Sequence, residues 1–173
     1  AMGQWEDAAA RWDTASRRSR LILSRPERFS DTAAPEAREM AAKSTYGLGL
    51  DLLRLGRPRD AMAILRRATE TDPKCRFLYG MCLAESEPED MQTALRGAYP
   101  YLAAAETGEL KVEDDLLFRG LMYLALIYRK AGVVNIPGVK TDVERALECV
   151  SLAAALPGEL GEKAREEERR YHK

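Results

Sequence analysis

Apolar residues return every three or four positions along almost the whole chain, and nowhere do they alternate at period two. That spacing turns one stripe of a helix inward, and it would give a strand no single buried face, so it restricts the chain to an all-α fold. About eight helices are expected, over 4–24, 35–55, 59–71, 73–85, 90–106, 112–130, 142–156 and 161–170. The residues between them are punctuation with a mechanism. Pro26 cannot continue a hydrogen-bond ladder. Pro35 and Pro73 suit a first helical turn, where the missing N–H costs nothing. Asp72 can cap the helix that Pro73 opens, and Gly56 supplies the left-handed residue on which helices end. Four segments follow: an N-terminal helix over 2–25, a polar linker over 26–36, helical hairpins over 37–158 and a charged helix over 159–173.

Within 37–158 the chain repeats itself. Leu48-Gly49 and Tyr79-Gly80 stand 31 residues apart, and Leu124-Ala125 is a third copy. A small residue there has a physical use, because a helix that packs tightly on its hairpin partner has no room for a large side chain at the closest approach. The helices that follow match as well. Ala61, Ile64, Leu65 and Ala68 have the spacing of Met91, Ala94, Leu95 and Ala98, and again of Ala146, Cys149, Val150 and Ala153. Each set is an i, i+3, i+4, i+7 stripe.

Residues 42–73 resemble a tetratricopeptide repeat, with Tyr46, Leu48, Gly49, Gly56, Ala61, Ala68, Asp72 and Pro73 in that family's order and spacing. The unit over 121–154 looks more like the Sel-like branch, through Leu124, Tyr128, Gly132-Val133, Asp142, Arg145-Ala146 and the alanines at 153–155. The middle unit, 74–104, departs most from the pattern. The resemblance implies three helical hairpins stacked into an α-α superhelix, with protein binding as its role and no chemistry of its own. The charged helix over 159–173 then suits a polar cap.

In such repeats the first helix of each pair lines the concave surface. Three triplets occupy equivalent positions there: Lys43, Tyr46 and Leu50; Lys74, Phe77 and Met81; Arg119, Met122 and Leu126. Each reads cation, large apolar, aliphatic at i, i+3, i+7. Arg54, Arg129 and Lys130 extend the first and third rows. The expected site is a groove with a basic edge and an apolar floor, suited to a peptide or partner domain with acidic and apolar side chains. Two other readings of the same residues stay open. They can be plain core, or the N-terminal helix with Trp5 and Trp12 can fill the groove. Those tryptophans are expected to make either a capping contact or a homodimer contact between two chains.

Composition narrows the function classes. In 173 residues, Lys+Arg 27 and Asp+Glu 28 leave a net charge of −1, which disfavours a basic nucleic-acid binder. Arg17, Arg18, Arg20, Arg25 and Arg28 cluster locally, but no aromatic residues interleave with them for stacking on bases. No run reaches the ~20 apolar residues of a membrane span, and the opening residues lack a charged-then-apolar leader. With three cysteines, an odd number, the expectation is a reduced, cytoplasmic protein with Cys75, Cys82 and Cys149 in the core. The single histidine, His172, sits at the chain end, a poor place for an imidazole that a metal or a catalytic triad must hold still.

The acidic groups Asp114-Asp115, Glu87/Glu89/Asp90 and 166–168 fall in turns or on charged faces, where nothing raises a carboxylate pKa toward catalysis. Gly47 and Gly49 lie inside a helix and form no phosphate-cradling loop. No catalytic residue, cofactor or metal site is expected, so the chain is not read as an enzyme. The loop over 132–140 is longer than the turn at Gly56, and it either carries function or tucks its valines and isoleucine under the last helix.

Overall fold

The computed structural model describes residues 2–25, 28, 33–86 and 88–171. Pro26, most of the linker, Glu87 and His172 lie outside the described residues. Helix makes up 84% of the structure, and among the described residues there is no strand. No described helix is long and apolar enough to cross a membrane. The chain divides into two compact units, the first ending at Tyr79 and the second beginning at Gly80.

The first unit contains α1 (Met2–Ser24), α2 (Ala33–Arg54), α3 (Pro58–Leu65) and the opening half of α4 (Pro73–Ser86). Helix α1 lies against α2 through small residues. Ser16, Ser19, Ala37 and Ser44 are buried along this seam. The serines keep their hydroxyls satisfied on their own helices: Ser19 Oγ donates to Ala15 O at 2.9 Å and Ser44 Oγ to Ala41 O at 3.1 Å. Trp12 rests on Gly47, where a Cβ would come within 2.4 Å of the indole.

Two residues on, about 200° round the helix, α2 turns Gly49 toward α3. A Cβ there would meet Leu65 at 2.8 Å. Helix α2 is thus packed on two sides, which is why Leu48 through Leu53 are buried without a break. It ends in a Schellman turn, with Arg57 N donating to Leu52 O at 2.9 Å, Gly56 N to Leu53 O at 3.0 Å, and Gly56 at φ 70°. Pro58 then opens α3. Helix α3 stops at Leu65, six residues before the expected end, and the chain tightens into a 3-10 turn over Ala68–Glu70. Asp72 and Pro73 start α4 as expected, with Lys74 N donating to Asp72 Oδ1 at 2.8 Å.

The second unit holds the rest of α4, then α5 (Met91–Leu102), α6 (Asp114–Arg129), the four-residue α7 (Ala131–Val134), α8 (Val143–Ala154) and α9 (Gly158–Tyr171). Its core is Leu95, Leu102, Leu116, Leu121, Leu124, Ile127 and Val150, all closed to solvent. At Gly80 a Cβ would come within 2.7 Å of Tyr101 Cβ on the far end of α5. Ala125, the third small residue, is buried. Asp90 caps α5 through Thr93 N at 3.1 Å, and Asp142 caps α8 through Arg145 N at 2.9 Å.

The loop over 132–140 tucks inward only in part, with Val133 58% exposed. Its first residues form α7, and Asn135 ends it in the left-handed region at φ 52°. Val134 and Ile136 are buried, while Arg96 Nε holds Val134 O at 3.1 Å. Helix α9 lies on α8 with Ala164 buried, and Arg165 Nη1 donates to Ala154 O at the end of α8 at 2.8 Å.

Candidate functional site

The residues expected to line a groove are placed differently in the two units. On α2, Lys43 is exposed and paired with Glu39 at 2.6 Å, Tyr46 is half-buried, and the Arg54 guanidinium lies 4.5 Å over the Trp5 ring. On α6, Met122 and Leu126 are half-buried, and Arg129 and Lys130 are exposed. Arg119 bonds Glu85 at 2.6 Å. Lys74 on α4 is exposed.

Three of the expected floor residues are core instead. Phe77 and Met81 are 0% exposed and Leu50 is 5% exposed, so no ligand reaches them. The reason is that α4 is apolar nearly all round: Cys75, Leu78, Cys82 and Ala84 are buried with Phe77 and Met81. A helix of that kind has no outward apolar stripe to identify, because every stripe is an inward one.

Trp5 and Trp12 have partners within the first unit, on Arg54 and Gly47 respectively. Both contacts are made on α2, the neighbouring helix of the same chain.

Two groupings were not legible in the sequence. In the second unit, Tyr99, Glu106, Tyr128 and Arg145 form a polar network. Tyr128 Oη donates to Glu106 Oε1, Arg145 Nη2 donates to Glu106 Oε2 at 2.6 Å, and the Tyr99 and Tyr128 hydroxyls are 3.2 Å apart. With the Tyr128 proton directed at the carboxylate, Tyr99 supplies the proton between the two hydroxyls. The Arg145 guanidinium also lies 4.5 Å over the Tyr128 ring. Burial, then the bonds to Glu106 and Tyr99, push the Tyr128 phenol far above its usual range, so it stays a neutral donor. The network ties α5, α6 and α8 to the 3-10 turn over Ala103–Thr107, with the Arg145 side chain 48% exposed at its edge. Apart from this network, burial pushes the Glu85 carboxyl up, and Arg119 pulls the other way.

The other grouping is an open furrow of about 350 Å³ between α1 and α2 in the first unit. On α1 the stripe Arg11, Ala15, Arg18, Ile22 runs along it at i, i+4, i+7, i+11. On α2 the facing stripe is Ala33, Glu36, Ala37, Met40. The furrow exists because alanines stand where longer side chains would meet. Its signal in the sequence was the pair of alanine-bearing stripes, but nothing there showed that they face each other.

No protein-family model, curated protein or solved structure matches the chain. What the fold defines is an all-α protein of helices packed against one another.

Proposed function

We propose that the chain is a protein-interaction scaffold of the helical-repeat kind, holding a peptide or partner domain on its hairpins. One observation carries this reading. Gly49 in the first unit and Gly80 in the second, 31 residues apart, each seat the following helix so closely that a Cβ would overlap it. A repeated close seat supports a repeated hairpin, and with it the resemblance to tetratricopeptide and Sel-like repeats over 42–73 and 121–154. Proteins built this way bind partners on extended helical surfaces. Glu85 and Glu106 serve ion pairs and hydrogen bonds within the chain. The three buried free thiols fit a reducing compartment, so the scaffold is read as cytoplasmic.

The test is a display selection of random 16-residue peptides on the immobilised full chain, with sedimentation velocity on the free protein. Convergent peptides binding a monomer are expected. A stable dimer that selects nothing would favour the homo-oligomer reading.

A further inference from the structure

We infer that the furrow between α1 and α2 is the seat of an amphipathic helical segment of a partner protein, one whose polar edge carries two carboxylates seven residues apart. The inference rests on the scaffold reading and assigns it a place and a ligand chemistry.

The charges on the furrow are what point outward. Arg11 and Arg18 stand on its α1 side, both exposed, and among the described residues neither forms an ion pair or a hydrogen bond. Their neighbour Arg17 behaves differently and pairs with Asp13 at 2.8 Å. In a chain whose charges nearly cancel, with a net of −1, two unpaired guanidiniums on one helical stripe are a local excess of positive charge. They are seven residues apart, roughly 10.5 Å along the helix axis. Carboxylates at i and i+7 of a second helix have the same separation, so a helix laid along the furrow meets both.

Beside the cations the lining is mainly apolar, with Thr14 and Ser19 its uncharged polar members. Ala15 and Ile22 on α1 face Ala37 and Met40 on α2, and Met40 is 45% exposed. The furrow follows the helix pair from Arg11 to Ile22, about three turns, the footprint of a docked helix rather than of a compact small molecule. Glu36 on the opposite side, also without an ion pair among the described residues, is the one acid present. It favours a basic residue on the other edge of the incoming helix, which sets that helix's orientation.

The experiment uses the full chain in two forms, the natural sequence and the double variant Arg11→Glu/Arg18→Glu. Both positions are exposed, and circular dichroism checks that the helicity is unchanged. The probes are the peptides selected on the natural chain, synthesised with a fluorophore and titrated by anisotropy. The expected pool is rich in Glu or Asp at i and i+7 beside an apolar stripe. Its affinity falls by at least ~10-fold on the double variant, and it weakens as added salt shortens the Debye length from about 10 Å toward about 3 Å. Met40→Asp, on the furrow's exposed floor, is expected to weaken the same peptides, and Met40→Leu to leave them bound.

Peptides that bind both forms equally would overturn this inference while leaving the scaffold reading standing. No selected peptides at all would overturn both. Self-association lost in the double variant would overturn it in favour of a second copy of the chain as occupant.

Discussion

Gly80→Ala isolates the contact on which the hairpin architecture rests, and the structure allows its size to be worked out. In the interior of a helix, alanine is better than glycine by about 1 kcal/mol, so a neutral site would gain stability. At Gly80 the added Cβ stands 2.7 Å from Tyr101 Cβ and 3.2 Å from Leu102. Ordinary contact begins near 3.4 Å, so α4 and α5 must part by about 0.7 Å. No rotamer relieves the clash, because Tyr101 Cβ is fixed to its own backbone. Overpacking of this kind typically costs about 1–3 kcal/mol, which leaves a net loss centred on about 1 kcal/mol and reaching at most about 2 kcal/mol.

Gly97→Ala is the internal control. It lies on the exposed side of α5 with nothing within 4 Å of the new atom, and should gain about 0.5–1 kcal/mol. In thermal melts of the full chain followed by circular dichroism, each 1 kcal/mol is worth about 2–4 °C at this size. The two alanines should therefore move Tm in opposite directions, Gly80→Ala down and Gly97→Ala up. A Gly80→Ala protein that melts higher than the natural chain would mean that the two helices do not touch there, and the repeat reading would lose its support.

Four further outcomes follow from named contacts. Trp12→Ala removes the indole seated on Gly47 and should cost about 3 kcal/mol, as large aromatic truncations do. Trp5→Ala loses mainly the cation–π contact with Arg54 and should cost about 0.5–1 kcal/mol; urea melts compare the two, and equal costs would count against this difference between the two contacts. Tyr128→Phe takes away the proton that Glu106 accepts and should destabilise by about 1–3 kcal/mol, whereas an unchanged melt would show the network to be idle. Cys75, Cys82 and Cys149 are pushed up to about 12, in each case chiefly by burial. They should ignore a thiol reagent near pH 8 in the folded chain and react in urea; rapid labelling of the folded form would contradict their burial. Because those folded values lie above the ordinary 9.0, the stability they contribute is complete below about pH 9 and is lost as pH rises toward about 12. Cys→Ala variants should flatten that alkaline slope in pH-dependent melts.

Much of the local structure was legible in the residues because it is decided locally. Asp72 before Pro73, Gly56 after Leu55 and Asp142 before Val143 act through bonds to backbone a few residues away, and each ends or starts a helix where expected. The close seats at Gly49 and Gly80 were legible for a related reason: a missing side chain marks the place where something else must fit. The groove was not. Leu50, Phe77 and Met81 share a helical spacing with Tyr46 and Met122, yet they are buried and the others are half-exposed. Spacing places residues on a common face but does not say whether that face meets water.

The sequence by itself determined an all-α chain, most of its helix boundaries and the two glycines where helices approach most closely. These follow from period, proline, caps and side-chain size, all of which act within a few residues. Only the tertiary structure decided that Trp12 rests on Gly47, that Tyr128 and Arg145 share one carboxylate, and that two alanine-bearing stripes leave a furrow edged by Arg11 and Arg18. Each of those joins residues on different helices, as Trp12 and Gly47 or Tyr128 and Glu106 are, and such pairings depend on which faces meet when the helices pack.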